Sequence, residues 1–231
     1  MVLSGDLANS TIDCSQSDVN IALEFLISKY ASFQAPSLLS AFDTLFERLY
    51  AINGEKFMSN FVRVLGAHIS RSLIKVNAVS NYHTLLRFVN RGLAISSTDN
   101  EIFMQYLTDL IRWQALLLDR CLTGGKRSVQ LSVIRNAKRV LKEILQHNKS
   151  DVRSNRVETI IKVLVGTKMP STAAAISLGL LAGVCKGLQN DANAVIESSK
   201  DIVYGFFSSE IVGSKSRIPS YAMVLLGLYV V

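Results

Sequence analysis

Three histidines, three cysteines and one glycine-rich turn are the residues of this chain whose chemistry would stand out, and none falls in the pattern its chemistry needs. His68, His83 and His147 are isolated in sequence and not spaced as ligands, and no Ser/His/Asp or Cys/His set converges. Cys14, Cys121 and Cys185 are far apart, without CxxC or Cys/His clustering, so buried reduced thiols are expected rather than a disulfide framework or a zinc site. Glu24, Glu47, Asp109 and Glu158 sit among helically spaced apolar residues as ordinary polar-face side chains, not as a paired-carboxylate site. The stretch "TGGKRS" (123–128) has the outward look of a phosphate loop. It fails on three counts: Arg120 stands where the first glycine belongs, Arg127 follows the lysine in place of Ser or Thr, and no strand precedes it. The expectation is a protein that is not an enzyme, with no cofactor and no metal.

One feature does call for an explanation in chemistry. "TGGKRSVQLSVIRNAKRVLKEIL", Thr123 to Leu145, carries six Lys or Arg and a single Glu. Taken along the chain, residues up to Leu110 hold eight basic and ten acidic side chains, Ile111 to Pro170 thirteen and four, and Ser171 onward four and four, so the net charge of +7 arises in the middle segment. A mixed surface would scatter that charge, and a face turned to a polyanion would concentrate it. On a helical projection of about 100° per residue with Arg135 at zero, Lys138, Arg139 and Lys142 fall within about 60° of it. Val133, Ala137, Val140 and Ile144 cluster on the opposite side. Lys126 and Arg127 extend the stripe into the preceding turn, and Arg112, Arg120, Arg153 and Arg156 come from flanking helices that could lie beside it. A solvated helix face is the plainer reading. Against it stands the shortage of acidic partners, since an ordinary exposed helix would place Glu four residues before such cations and only Glu143 lies within the helix. No aromatic residues interleave the stripe, so it suits phosphate-backbone contact rather than base reading.

The elements that must position this stripe read as helices throughout. The composition, 49% hydrophobic and 19% charged, is that of folded protein. Residues 1–17 are polar and are expected to be a flexible segment. They hold no basic start or apolar run of secretory type, which makes the cytosol the default address, with the nucleus as the other possibility. From 18 to 231 no sustained apolar/polar alternation and no Asn-Gly or Asp-Gly hairpin turn between apolar runs interrupts the helical period. Helices are predicted at roughly 18–32, 37–52, 54–73, 77–95, 98–122, 126–148, 152–167, 171–188, 192–212 and 219 to the end. Asn53-Gly54 and Gly124-Gly125 break the pattern, and Pro36, Pro170 and Pro219 each precede Ser at the start of an apolar run, where a proline's missing N–H is not needed. Successive helices group into about five pairs at intervals near 40 residues, the helical-hairpin period of HEAT and armadillo repeats. The predicted fold is therefore all-α, an α-solenoid in which stacked hairpins share a continuous core.

Two apolar stretches need a place in that solenoid. In "STAAAISLGLLAGVCKGL", Ala175, Gly179, Gly183 and Gly187 recur every four residues and permit close helix approach. The charge-free run Met169–Cys185 is 17 residues, short of the roughly 20 that cross a bilayer comfortably, so a tightly packed central helix is expected and no membrane. The chain stops at "IPSYAMVLLGLYVV", an apolar helix without a polar cap, where a finished solenoid would end in a polar repeat. The expectation is the N-terminal part of a longer protein whose solenoid continues, with the last pair truncated.

The C-terminal stretch "ESSKDIVYGFFSSEIVGSKSRIPSYAMVLLGLYV" resembles a helix, a Ser/Lys loop with Pro and an apolar helix near the N-terminus of the giant HEAT-repeat translational activator of the general control nonderepressible pathway. "STAAAISLGLLAGVCKGL" and "GGKRSVQLSVIRNAKRVLKEIL" look like the elements that precede it in that family, in the same order, over nearly the whole chain. The resemblance implies a cytoplasmic scaffold that binds ribosomes, through rRNA or ribosomal proteins, and works with an ATP-binding-cassette partner protein. It also implies help in activating the kinase that phosphorylates the alpha subunit of an initiation factor during amino-acid starvation, through regions outside this chain. No family site transfers residue by residue. The polyanion-binding candidates, Lys126, Arg127, Arg135, Lys138, Arg139 and Lys142, come from the charge pattern alone. The competing reading is a HEAT- or armadillo-like adaptor of trafficking or nuclear transport whose stripe meets an acidic peptide.

Overall fold

A computed structural model describes residues 21, 23–27, 36–74, 79–124, 127–146, 150–166 and 169–188. The predicted flexible segment 1–17 and the helices expected beyond 188, including the last pair and the C-terminal part of the resemblance, lie outside the described residues. Helix α1 is described at residues 21 and 23–27. It is followed by α2 (Pro36–Ile74), α3 (Val79–Ser96), α4 (Asn100–Gly124), α5 (Arg127–Leu145), α6 (Ser150–Gly166) and α7 (Ser171–Gly187). The fold is all-α and built of helical hairpins in a solenoid-like stack, as the periodicity predicts.

Of the sequence breaks, Pro36, Gly54 and Pro170 act where expected, and Gly125 and Pro219 lie outside the described residues. Gly54, at φ 34° and ψ −107°, interrupts α2 in a backbone region that an L side chain enters only with strain, and divides it into two arms. The bend lets Phe46 of the first arm meet the second arm edge-on, with ring centroids 4.8 Å from Phe57 and 4.6 Å from Phe61. Such pairs add about 0.5–1.5 kcal/mol beyond the area they bury. At the other turn, Asp99 caps α4: its Oδ1 accepts from the backbone N–H of Glu101 at 3.0 Å and of Ile102 at 3.2 Å, two donors the first turn leaves without partners.

The layers follow from which helices touch. α3, α5 and α7 lie side by side, and α4 and α6 form a second row against them. The most extensive interface is between α3 and α4, which the sequence pattern divides between neighbouring pairs. The turn between them, Ser97 to Asp99, is three residues long, and a connection so short compels antiparallel packing. Close approach there uses Gly92, where a Cβ would meet Phe61 Cε1 at 2.9 Å and Leu110 Cδ2 at 3.4 Å. α7 packs on α4, α5 and α6, and its side chains from Ala173 to Ala182 are buried. That is the tightly packed helix expected, although Gly187, the last of its four-residue row of small residues, is exposed, and a Cβ there would meet nothing within 4 Å. Among the described residues no helix is long and apolar enough to cross a membrane.

Candidate polyanion interface

Helix α5 holds the stripe because its other face is anchored. Val133, Ile134, Ala137, Val140, Leu141, Ile144 and Leu145 are buried in the core, which fixes the rotation of the helix about its axis. Arg135, Arg139 and Lys142 are then exposed and Lys138 half-buried, as the projection predicts. Lys126 lies outside the described residues. Arg127 is the first residue of α5, and its side chain lies outside them too.

Charge pairing along the stripe is sparse. Arg139 donates to Glu143 Oε1 at 2.7 Å and to Asn136 Oδ1 at 3.1 Å. Arg139 is 66% exposed, and a solvated pair four residues apart on a helix contributes only about 0.3–0.5 kcal/mol, so Glu143 holds it weakly. Among the described residues, Arg135, Lys138 and Lys142 form no salt bridge. Three cations within two turns disfavour one another by a few tenths of a kcal/mol per close pair, which a polyanion would relieve.

The flanking arginines divide. Arg112 and Arg120 are exposed on α4, and nothing among the described residues joins them to the stripe. Arg153 is half-buried, with its Nε buried and unpartnered among the described residues. Arg156 departs from the expected surface role: it is 1% exposed, and its guanidinium donates to Ile144 O at 2.7 Å, Ser97 O at 3.0 Å and Asn100 Oδ1 at 3.3 Å. It also lies 4.4 Å from the centre of the Phe103 ring. It is a core cation, because the carbonyls at the ends of α3 and α5 and the face of Phe103 together supply the negative surroundings a guanidinium needs.

What stands beside the stripe instead comes from α2 and α3, and it was not read from sequence. A groove of about 310 Å³ separates α5 from these helices, with Arg87, Asn90 and Arg91 of α3 on one wall and Asn136, Arg139 and Glu143 of α5 on the other. Asp43 of α2 also lines it, 3.6 Å from Arg87 and 3.8 Å from Arg91, and Arg91 pairs with Glu47 as well. The available signal was the four-residue spacing of Arg87 and Arg91, which puts both on one face of α3.

The groups that could do other chemistry do not line this groove. Cys121 and Cys185 are buried cysteines outside any disulfide, and burial pushes the Cys121 pKa up to about 12, which keeps it protonated and unreactive. Cys14 and His147 lie outside the described residues. Burial lowers the pKa of His83 and, with help from Arg71, that of His68, and burial raises that of Asp119 against a hydrogen bond with Thr172. Among the described residues no three His, Cys, Asp or Glu side chains gather as a metal site. Compared with protein-family models, curated proteins and solved structures, the chain matches none.

Proposed function

We propose that this chain is a non-catalytic scaffold of translational control, whose cationic helix α5 lies against the ribosome. The carrying observation is that Arg135, Lys138 and Lys142 stand on the outward face of a helix fixed by its buried side, with no ion-pair partner among the described residues. A stripe of this kind contacts phosphates without reading bases, which suits a large folded RNA. The sequence resemblance supplies the rest of the reading. The site of action is the cytoplasm, an ATP-binding-cassette protein is a partner, and the starvation-response kinase is engaged through regions beyond this chain.

Co-sedimentation with purified ribosomes over a salt series tests the proposal. Changing Arg135, Lys138, Arg139 and Lys142 together to Glu is expected to abolish binding that the unchanged chain shows at low salt, and undiminished binding would remove the stripe from the function. Pull-down after nuclease treatment separates the adaptor reading, in which an acidic protein would still be retained.

A further inference from the structure

The groove beside α5 contains more hydrogen-bond donors than its own acceptors engage. Asn90 is 4% exposed; its Oδ1 accepts from Gln114 Nε2 at 2.7 Å, while its buried Nδ2 donates to nothing among the described residues. Among the described residues Arg91 Nε is likewise buried without a hydrogen bond, with Asp43 Oδ1 3.8 Å away. Arg87 approaches Asp43 only at 3.6 Å, an ion pair beyond hydrogen-bond reach. Buried polar groups are seldom left unpaired, and two orphan donors in the lining of one groove are a reason to look for the acceptor that completes them.

The chemistry of that acceptor follows from the donors. Three guanidinium groups and two carboxylates, Asp43 and Glu143, line the groove, and Glu47 pairs with Arg91 from outside the lining, so an anion is drawn by the unengaged guanidinium donors rather than by a net charge. Asp43, Glu47, Asn136 and Glu143 hold the arginines in place without occupying all of their donors. A planar carboxylate is matched by one guanidinium fork, whereas donors supplied from α3 on one wall and α5 on the other suit an ion that accepts in every direction. We infer that the groove between α2, α3 and α5 is a phosphate pocket, in which Arg87, Asn90, Arg91 and Arg139 take one phosphate group. Arg139 belongs to both the groove and the stripe, so a phosphate seated here is continuous with a polyanion lying along α5. The source of that phosphate in RNA rests on the proposed function; the pocket itself does not.

The test is an NMR titration of the 231-residue chain with inorganic phosphate at constant ionic strength. The side-chain amide of Asn90 and the Nε–H groups of Arg87 and Arg91 are expected to move saturably, and acetate at equal concentration to move them far less. Arg87→Gln, on a surface side chain, should weaken phosphate binding about tenfold with an unchanged melting curve, the loss of one charge-assisted hydrogen bond. Lys162→Gln, an exposed side chain on α6 outside both the groove and the stripe, should leave it unchanged. No saturable shift, an equal response to acetate, or an Arg87→Gln titration like that of the unchanged chain would overturn the pocket. A ribosomal RNA fragment that displaces the inorganic phosphate identifies a polynucleotide as the source. Phosphate binding without competition by RNA supports a pocket for a free phosphate or small phosphomonoester and counts against the ribosomal reading. RNA binding that depends on Lys138 while phosphate moves nothing leaves the stripe and removes the pocket.

Discussion

Arg156 shows how a single residue can be read correctly for charge and incorrectly for place. As a cation among cations it counts toward a basic surface, yet it stands four residues before buried Ile160 and eight before buried Leu164, on the inward face of α6. That spacing was legible; what was not is the pair of helix ends that meets its guanidinium, since Ser97 and Ile144 are 59 and 12 residues away in sequence. Burial lowers its pKa, but a guanidinium stays charged. Removing it strands the carbonyls and opens a cavity, so Arg156→Ala is expected to destabilise the chain by about 3 kcal/mol in urea denaturation. Arg156→Lys should recover only part, because an ammonium cannot reach three acceptors in a fork. A loss under about 1 kcal/mol would mean the contacts contribute little. The histidines act in the opposite sense. With folded-state pKa values held below the ordinary 6.5, chiefly by burial, His68 and His83 bind protons more readily in the unfolded chain. Their contribution is complete above that pH and is lost as pH falls through the lowered values. The denaturation midpoint should therefore fall on acidification from about pH 7 to 5.5, and less steeply in His83→Gln, since His83 Nε2 lacks a partner among the described residues.

Helices were the most readable level of this molecule. The predicted segments 77–95, 98–122 and 171–188 became Val79–Ser96, Asn100–Gly124 and Ser171–Gly187, because periodicity, a capping Asp99 and the proline before Ser171 all act within a few residues of the backbone they shape. Which helices pack most closely was not readable, since that depends on small residues meeting large ones from elsewhere. Gly92 and Gly66 carry this information. A Cβ at Gly66 would come within 2.7 Å of Trp113 Cζ2, and one at Gly92 within 2.9 Å of Phe61 Cε1. In an exposed helix Gly→Ala stabilises by about 1 kcal/mol. Here the neighbours decide the sign: Phe61 is fully buried and wedged among rings, whereas Trp113 is only half-buried and can swing aside. Gly92→Ala is expected to destabilise by about 1–3 kcal/mol, and Gly66→Ala by clearly less. Equal effects in thermal or urea melts would show that the α3–α4 interface is looser than its packing implies.

At the scale of the whole molecule, charge and fold are separable properties, and the sequence disclosed them unequally. The location of the positive excess between Ile111 and Pro170 is a matter of counting, and an amphipathic helix must turn its cations outward, so the stripe was legible. The groove was not, because Arg87 and Arg91 lie in a segment with no net positive charge and reach the stripe only when α3 packs beside α5. The resulting surface has a quantitative consequence for the ribosome binding proposed above. If Arg135, Lys138, Arg139 and Lys142 each neutralise one phosphate, the logarithm of affinity should fall with the logarithm of salt concentration with a slope of roughly −3 to −4. Neutralising one of them, Lys138→Gln, should reduce that slope by about one and weaken binding at low salt more than at high salt. An acidic peptide releases few condensed counterions and would give a shallower dependence. A slope near zero, or one that Lys138→Gln leaves unchanged, would place the contact on another surface of the solenoid.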